Sequence, residues 1–126
     1  MLLHQDITEI IISCFYKVYN ELGFGFLEKV YENGLLIELQ KNGLRASKQI
    51  PIDVYYDGII VGNYFADIDV EDKVIIEIKA GEKGLIEEHE LQLINYLKAT
   101  NREVGLLLSF GKKPEFKRKI FTNDMK

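Results

Sequence analysis

The chain has 126 residues and 47 % apolar side chains, the size of a single domain (1–126) with one hydrophobic core. No apolar run approaches the roughly 18 residues of a membrane span, and the lone cysteine, Cys14, excludes a disulfide framework or a cysteine-rich zinc site. A net charge of −4 argues against a protein that coats nucleic acid by charge alone.

The first predicted element covers residues 5–22, where Ile7, Ile10, Ile11, Cys14, Phe15, Val18, Tyr19 and Leu22 follow helical spacing and Gly23 marks the stop. Asp6 and Glu9 make this segment unlike a signal peptide, so a soluble, cytoplasmic protein is expected. Gly23-Phe24-Gly25-Phe26 is a glycine-rich turn too short for a phosphate loop. A second helix is expected from Leu27 to Lys41, with Val30, Tyr31, Leu35, Ile37 and Leu39 as its apolar positions. Glu28 falls in its first turn, where a carboxylate suits the helix dipole, and shares a face with Tyr31.

Residues 45–56 alternate as a strand, and Tyr56-Asp57-Gly58-Ile59 signals a tight hairpin into a second strand ending at Val70. Gly62 marks a bulge or bend in that strand. After a polar turn at Glu71-Asp72-Lys73, a third strand runs to Lys79, which completes an antiparallel meander. Gly81–Gly84 reads as a linker, followed by a helix over Leu85–Thr100 with Ile86, Leu93 and Leu97 as core positions. His89, Gln92 and Tyr96 share one face of it. The apolar run Val104–Phe110 suits a strand buried on both faces, parallel to the third strand across the helical crossover. Residues 117–121 read as a final edge strand. This end is basic: residues 98–126 carry 8 Lys/Arg against 3 Asp/Glu, while the first 97 carry 8 against 17. Such a tail beside an acidic body permits contact with phosphates.

Tyr64 to Ala80 holds the candidate chemistry. Alternation puts Asp67 and Asp69 on one face of the second strand, and Glu77 and Lys79 on one face of the third. A three-residue turn sets Val70 opposite Val74, and the same count sets Asp67 opposite Glu77. Like charges so placed destabilise a sheet unless something offsets them, and a divalent cation would. The residues alone leave two readings open: the wet face of an ordinary hairpin screened by Lys79, or a metal site.

The order Glu28, Asp67, Glu77-x-Lys79, then Gln92 on the next helix resembles the PD-(D/E)xK nuclease superfamily. Within it the chain is most similar to the Gly-x-x-Glu-x-x-Tyr (GxxExxY) proteins. The naming motif stands as Gly25-Phe26-Leu27-Glu28-Lys29-Val30-Tyr31. It is followed by Ala66-Asp67, Ile76-Glu77-Ile78-Lys79-Ala80, His89-x-x-Gln92-Leu93-x-x-Tyr96-Leu97 and Gly105–Gly111. Two positions depart from the pattern: Ala66 replaces the proline before the aspartate, and Ser109 stands where asparagine is usual. The resemblance implies a restriction-endonuclease-like α/β core, a central mixed sheet flanked by helices. It implies a nuclease acting on nucleic acid, DNA first, with Mg²⁺ or Mn²⁺ held by Asp67, Glu77 and the Ile78 carbonyl, and with Glu28 reaching the ion through water or holding a second ion. It makes Lys79 the residue that orients the attacking water and Gln92 its support, with Tyr31, His89 and Tyr96 around the substrate. A homodimer or an accessory partner fits a nuclease this small. The alternative function is a non-catalytic binding module that retains the fold.

Overall fold

The computed structural model describes residues 2–126. Helices α1 (Gln5–Leu22) and α2 (Glu28–Lys41) precede strands β1 (Ala46–Tyr56), β2 (Ile59–Val70) and β3 (Val74–Ala80). Helix α3 (Glu87–Lys98), β4 (Val104–Phe110) and β5 (Pro114–Ile120) complete the fold. The strands form one sheet in the order β1-β2-β3-β4-β5. β1, β2 and β3 pair antiparallel, β3 and β4 parallel, and β4 and β5 antiparallel, so the sheet is mixed. A parallel pair needs a crossover, which here is α3.

The two faces of the sheet build two cores. On one, Ile11, Phe15 and Val18 of α1 and Tyr31, Leu35 and Leu39 of α2 pack on Ile68, Val70, Val74, Ile76, Ile78, Leu106, Leu108 and Phe110. On the other, Leu93, Tyr96 and Leu97 of α3 cover Ile75, Leu107, Ile52 and Ala66. β4 feeds both cores and is buried along its whole length, as its unbroken apolar run requires. Gly105 permits the close approach of α3, because a Cβ there would lie 2.7 Å from Leu93 Cδ1.

Two turns fix the register. Asp57 and Gly58 both take positive φ, 51° and 76°, as a type I′ hairpin demands. The β1–β2 ladder then slips by one residue: Val54 pairs with Gly62 and Tyr55 with Ile60, leaving Val61 as the extra residue beside the glycine. At the second turn Glu71 and Asp72 also adopt left-handed backbone, and Glu71 is pinned by its N–H donating to the Arg45 carbonyl at 2.8 Å. Val70 pairs with Val74, Asp69 with Ile75 and Ile68 with Ile76, so Asp67 comes abreast of Glu77.

One expected core position is corrected: Ile86 is exposed, as are the apolar Val30 and Ile37 of α2. α2 buries the row Tyr31, Leu35, Leu39 at four-residue spacing, which turns Val30 and Ile37 outward. Ile86 is the extended residue before α3 and lies outside its helical periodicity.

Candidate active site

The site lies where β2 and β3 part, on the face covered by α3. Regular pairing stops at Ile68–Ile76, and the next rung is closed by side chains. The Asp67 N–H donates to Glu77 Oε2 at 2.8 Å, and the Ile78 N–H donates to Asp67 Oδ2 at 2.7 Å. These bonds satisfy backbone donors that the opened ladder would leave unpaired. They also stabilise the carboxylates and offset part of their repulsion. Each carboxylate keeps its second oxygen clear of these two bonds.

Their electrostatics are those of crowded buried acids. Burial pushes the Glu77 carboxyl up to about 8, and the neighbouring Asp67 charge adds to the rise. Asp67 is raised as well, by burial first and then by the charges of Glu32 and Glu28, against the lowering effect of the Ile78 N–H. Lys79 opposes both shifts. It pairs with Ser109 across β3–β4 and makes no ion pair of its own among the described residues.

The other expected site residues separate into those that converge and those that do not. Glu28 is exposed at the start of α2 and accepts no capping bond, yet its charge is felt at Asp67, Glu77 and His89. His89 Nδ1 accepts the Ile86 N–H at 3.3 Å, which closes the first turn of α3 and leaves the ring proton on Nε2. Burial and nearby Lys79 lower its pKa. Tyr96 is buried, and its hydroxyl is pushed up to about 12 by burial and by Glu77, Asp67 and Tyr64. Gln92 lines a groove of about 780 Å³ beside Tyr96 instead of bonding Lys79. Ile78 turns its side chain into the opposite core, so only its peptide faces Asp67.

Tyr31 is a correction: it does not face substrate. It is fully buried and stacks on Phe110 at 4.3 Å. Its hydroxyl donates to the Gly23 carbonyl at 2.5 Å and accepts the Phe26 N–H at 3.1 Å. It braces the loop that delivers Glu28. Part of the basic tail is paired within the chain: Arg102 binds Asp69, Lys117 and Lys119 pair with Glu90, and Lys126 donates to the Thr100 and Arg102 carbonyls.

Sequence reasoning missed Glu32 and Gln49. Glu32 lies one turn past Glu28, is buried, and is bonded by Lys29 Nζ and Gln49 Nε2, both at 2.8 Å. Its spacing of four from Glu28 was the available signal. Gln49 reaches it because β1 takes a positive φ of 57° there, opposite Asp67, and no residue pattern announces that kink.

Among the described residues no three His, Cys, Asp or Glu side chains converge into a ready cage. Mg²⁺ needs only one or two carboxylates plus waters, and two opposed carboxylates with raised pKa values fit such an ion. A model of the PD-(D/E)XK nuclease superfamily matches residues 5–119. No curated protein and no solved structure matches the chain.

Proposed function

Because the chain belongs to the PD-(D/E)XK nuclease superfamily, we propose that it is a metal-dependent phosphodiesterase acting on nucleic acid, DNA first, through one domain spanning 1–126. Its mixed five-stranded sheet with helices on both faces is the restriction-endonuclease-like α/β core. Nucleases of this superfamily typically use divalent metals, and the family model leaves the choice between Mg²⁺ and Mn²⁺ open. The observation that carries the reading is the Asp67–Glu77 pair, two inward carboxylates set against each other with Lys79 two residues along the same face.

In this reading Asp67, Glu77 and the Ile78 carbonyl would hold the ion, and Glu28 would reach it through water or hold a second one. A bound divalent ion supplies Lewis-acid polarisation of a phosphoryl oxygen and acidifies water. Lys79 orients the attacking water and meets the charge that builds on the phosphate. Gln92 positions substrate from the groove wall, and His89 offers its Nε2 proton to a phosphate. Tyr96 walls the site. The motif from Gly25 to Tyr31 supports a reading of the chain as a GxxExxY protein, with Tyr31 as a brace.

The test is cleavage of single-stranded, duplex and branched DNA and of RNA with Mg²⁺ or Mn²⁺. We expect cutting that EDTA stops and that Glu77→Gln abolishes. Binding without cutting of any substrate would favour the accessory module, a reading to which the acidic net charge of −4 lends weight.

A further inference from the structure

The groove lined by Gln92 and Tyr96 also carries residues that the proposed chemistry does not use. One wall is the β1–β2 hairpin, which contributes Tyr55 and Tyr64, and the other is α3, which contributes Gln92 and Tyr96. At about 780 Å³ it falls within the ~300–1,000 Å³ of ligand clefts. Tyr55 is 61 % exposed and Tyr64 47 %, so each offers ring surface to a ligand. Tyr64 also lies 5.7 Å from Tyr96, inclined at 48°. Tyr96 in turn packs in one cluster with Ala66, the residue before Asp67, and with Ile75, two residues before Glu77. The groove therefore lies between the hairpin and α3, on the sheet face that also carries the carboxylate pair.

Its charge selects the occupant. Asp53 and Glu88 line it, and the cation in its lining, Lys98, holds its Nζ over the Phe121 ring at 5.3 Å. Such a lining repels a phosphate backbone, while carboxylates accept from the amino groups of base edges. Aromatic rings bind bases by their faces, and those faces are available only when a base is unstacked. In a duplex they are covered by the neighbouring pairs. Two exposed tyrosines in an acidic groove therefore favour a single strand over a duplex.

We propose that Tyr55 and Tyr64, with the buried Tyr96 ring behind Tyr64, form a stacking platform for unpaired bases, which makes single-stranded nucleic acid the substrate class. This rests on the nuclease reading and extends it, because the acidic pair then acts on a strand whose flanking bases lie in the groove. Tyr55 and Tyr64 are binding residues and Gln92 sets the register between groove and site.

The test is fluorescence anisotropy at low salt in EDTA, with a labelled single strand of about twelve nucleotides, within the span of known single-strand sites, and a duplex of equal length. Wild type is expected to bind the single strand at least about tenfold more tightly than the duplex. Tyr55→Ala and Tyr64→Ala should each weaken it about 5- to 150-fold, the range for loss of one stacked base. Tyr64→Phe should retain binding, since the ring face is kept. Both tyrosines are exposed, so the variants should melt like wild type. Equal or tighter duplex binding, or alanine variants that bind like wild type, would overturn the proposal. So would sedimentation showing a wild-type dimer that Tyr64→Ala dissociates, because the hairpin face would then be an interface between copies of the chain. The absence of metal keeps the two readings apart. A protein that binds as predicted but never cuts retains the groove and loses the nuclease. One that cuts duplex with both alanine variants unimpaired retains the nuclease and loses the groove.

Discussion

Asp67 and Asp69 stand two residues apart on one strand and one face, and they meet opposite surroundings. Asp69 is buried under a fork: Arg102 Nε donates to Oδ1 at 2.9 Å and Nη2 to Oδ2 at 2.8 Å. Asp67 faces a second carboxylate and receives one backbone N–H. The first has its charge matched inside the fold, so it is a fastening between β2 and the turn before β4. The second has no ion-pair partner among the described residues and stands against another carboxylate, an arrangement that a cation would offset. A strand pattern of alternating acids says nothing about this difference, which the residue opposite decides.

The largest effects test which acid is functional. If the Asp67 end is the reaction centre, Asp67→Asn should abolish metal-dependent cleavage, while Asp69→Asn, assayed on folded protein, should keep it. Lys79→Ala should lower kcat about 10²-fold, the scale for one lost transition-state donor. It should leave substrate affinity nearly intact. Equal cleavage by Lys79→Ala and wild type would remove Lys79 from the mechanism.

Stability should run the other way. Arg102→Ala strands a buried carboxylate that is 5 % exposed and should cost about 3–5 kcal/mol in urea unfolding. Asp67→Asn keeps an acceptor for the Ile78 N–H and removes the repulsion that appears once Glu77 ionises, so above about pH 8 the metal-free protein should gain stability. A loss comparable to Arg102→Ala would erase the contrast between the two sites.

A smaller effect follows from pH. The folded Glu77 carboxyl titrates near about 8, above the ordinary value of 4.5, so between those limits the folded state holds a proton that the unfolded chain has lost. Raising pH across that window should therefore destabilise the metal-free protein, by at most about 1.4 kcal/mol per pH unit for one proton. Glu77→Gln should flatten the slope, and an unchanged slope in that variant would assign the proton elsewhere. Smallest of all, Tyr31→Phe removes a brace and should cost about 1 kcal/mol, with no change in the response to metal. A lost metal response would return Tyr31 to the site.

Much of this was legible in the residues. The bounds of α1 and of the β1–β2 hairpin followed from apolar spacing and from Asp57-Gly58, because local chemistry decides them. The parallel placement of β4 followed from an apolar run after a helix. The Asp67–Glu77 apposition followed from counting back across the turn. What stayed hidden depended on partners distant in sequence. Arg102 is thirty-three residues from Asp69, and the Gln49 kink that answers Glu32 has no pattern of its own. The burial of Tyr31 was hidden by its place in a motif that invites a functional reading. The exposure of Val30 and Ile37 was hidden because an apolar residue on a helix carries no statement of which face the rest of the fold will cover.

The most direct test is anomalous diffraction from a crystal soaked in Mn²⁺. The account predicts a peak bonded to both the Asp67 and Glu77 carboxylates at about 2.1 Å, the distance of a small hard cation to oxygen. The Asp69–Arg102 pair should remain free of metal. A peak at Asp69, or none between Asp67 and Glu77 at saturating Mn²⁺, would contradict it.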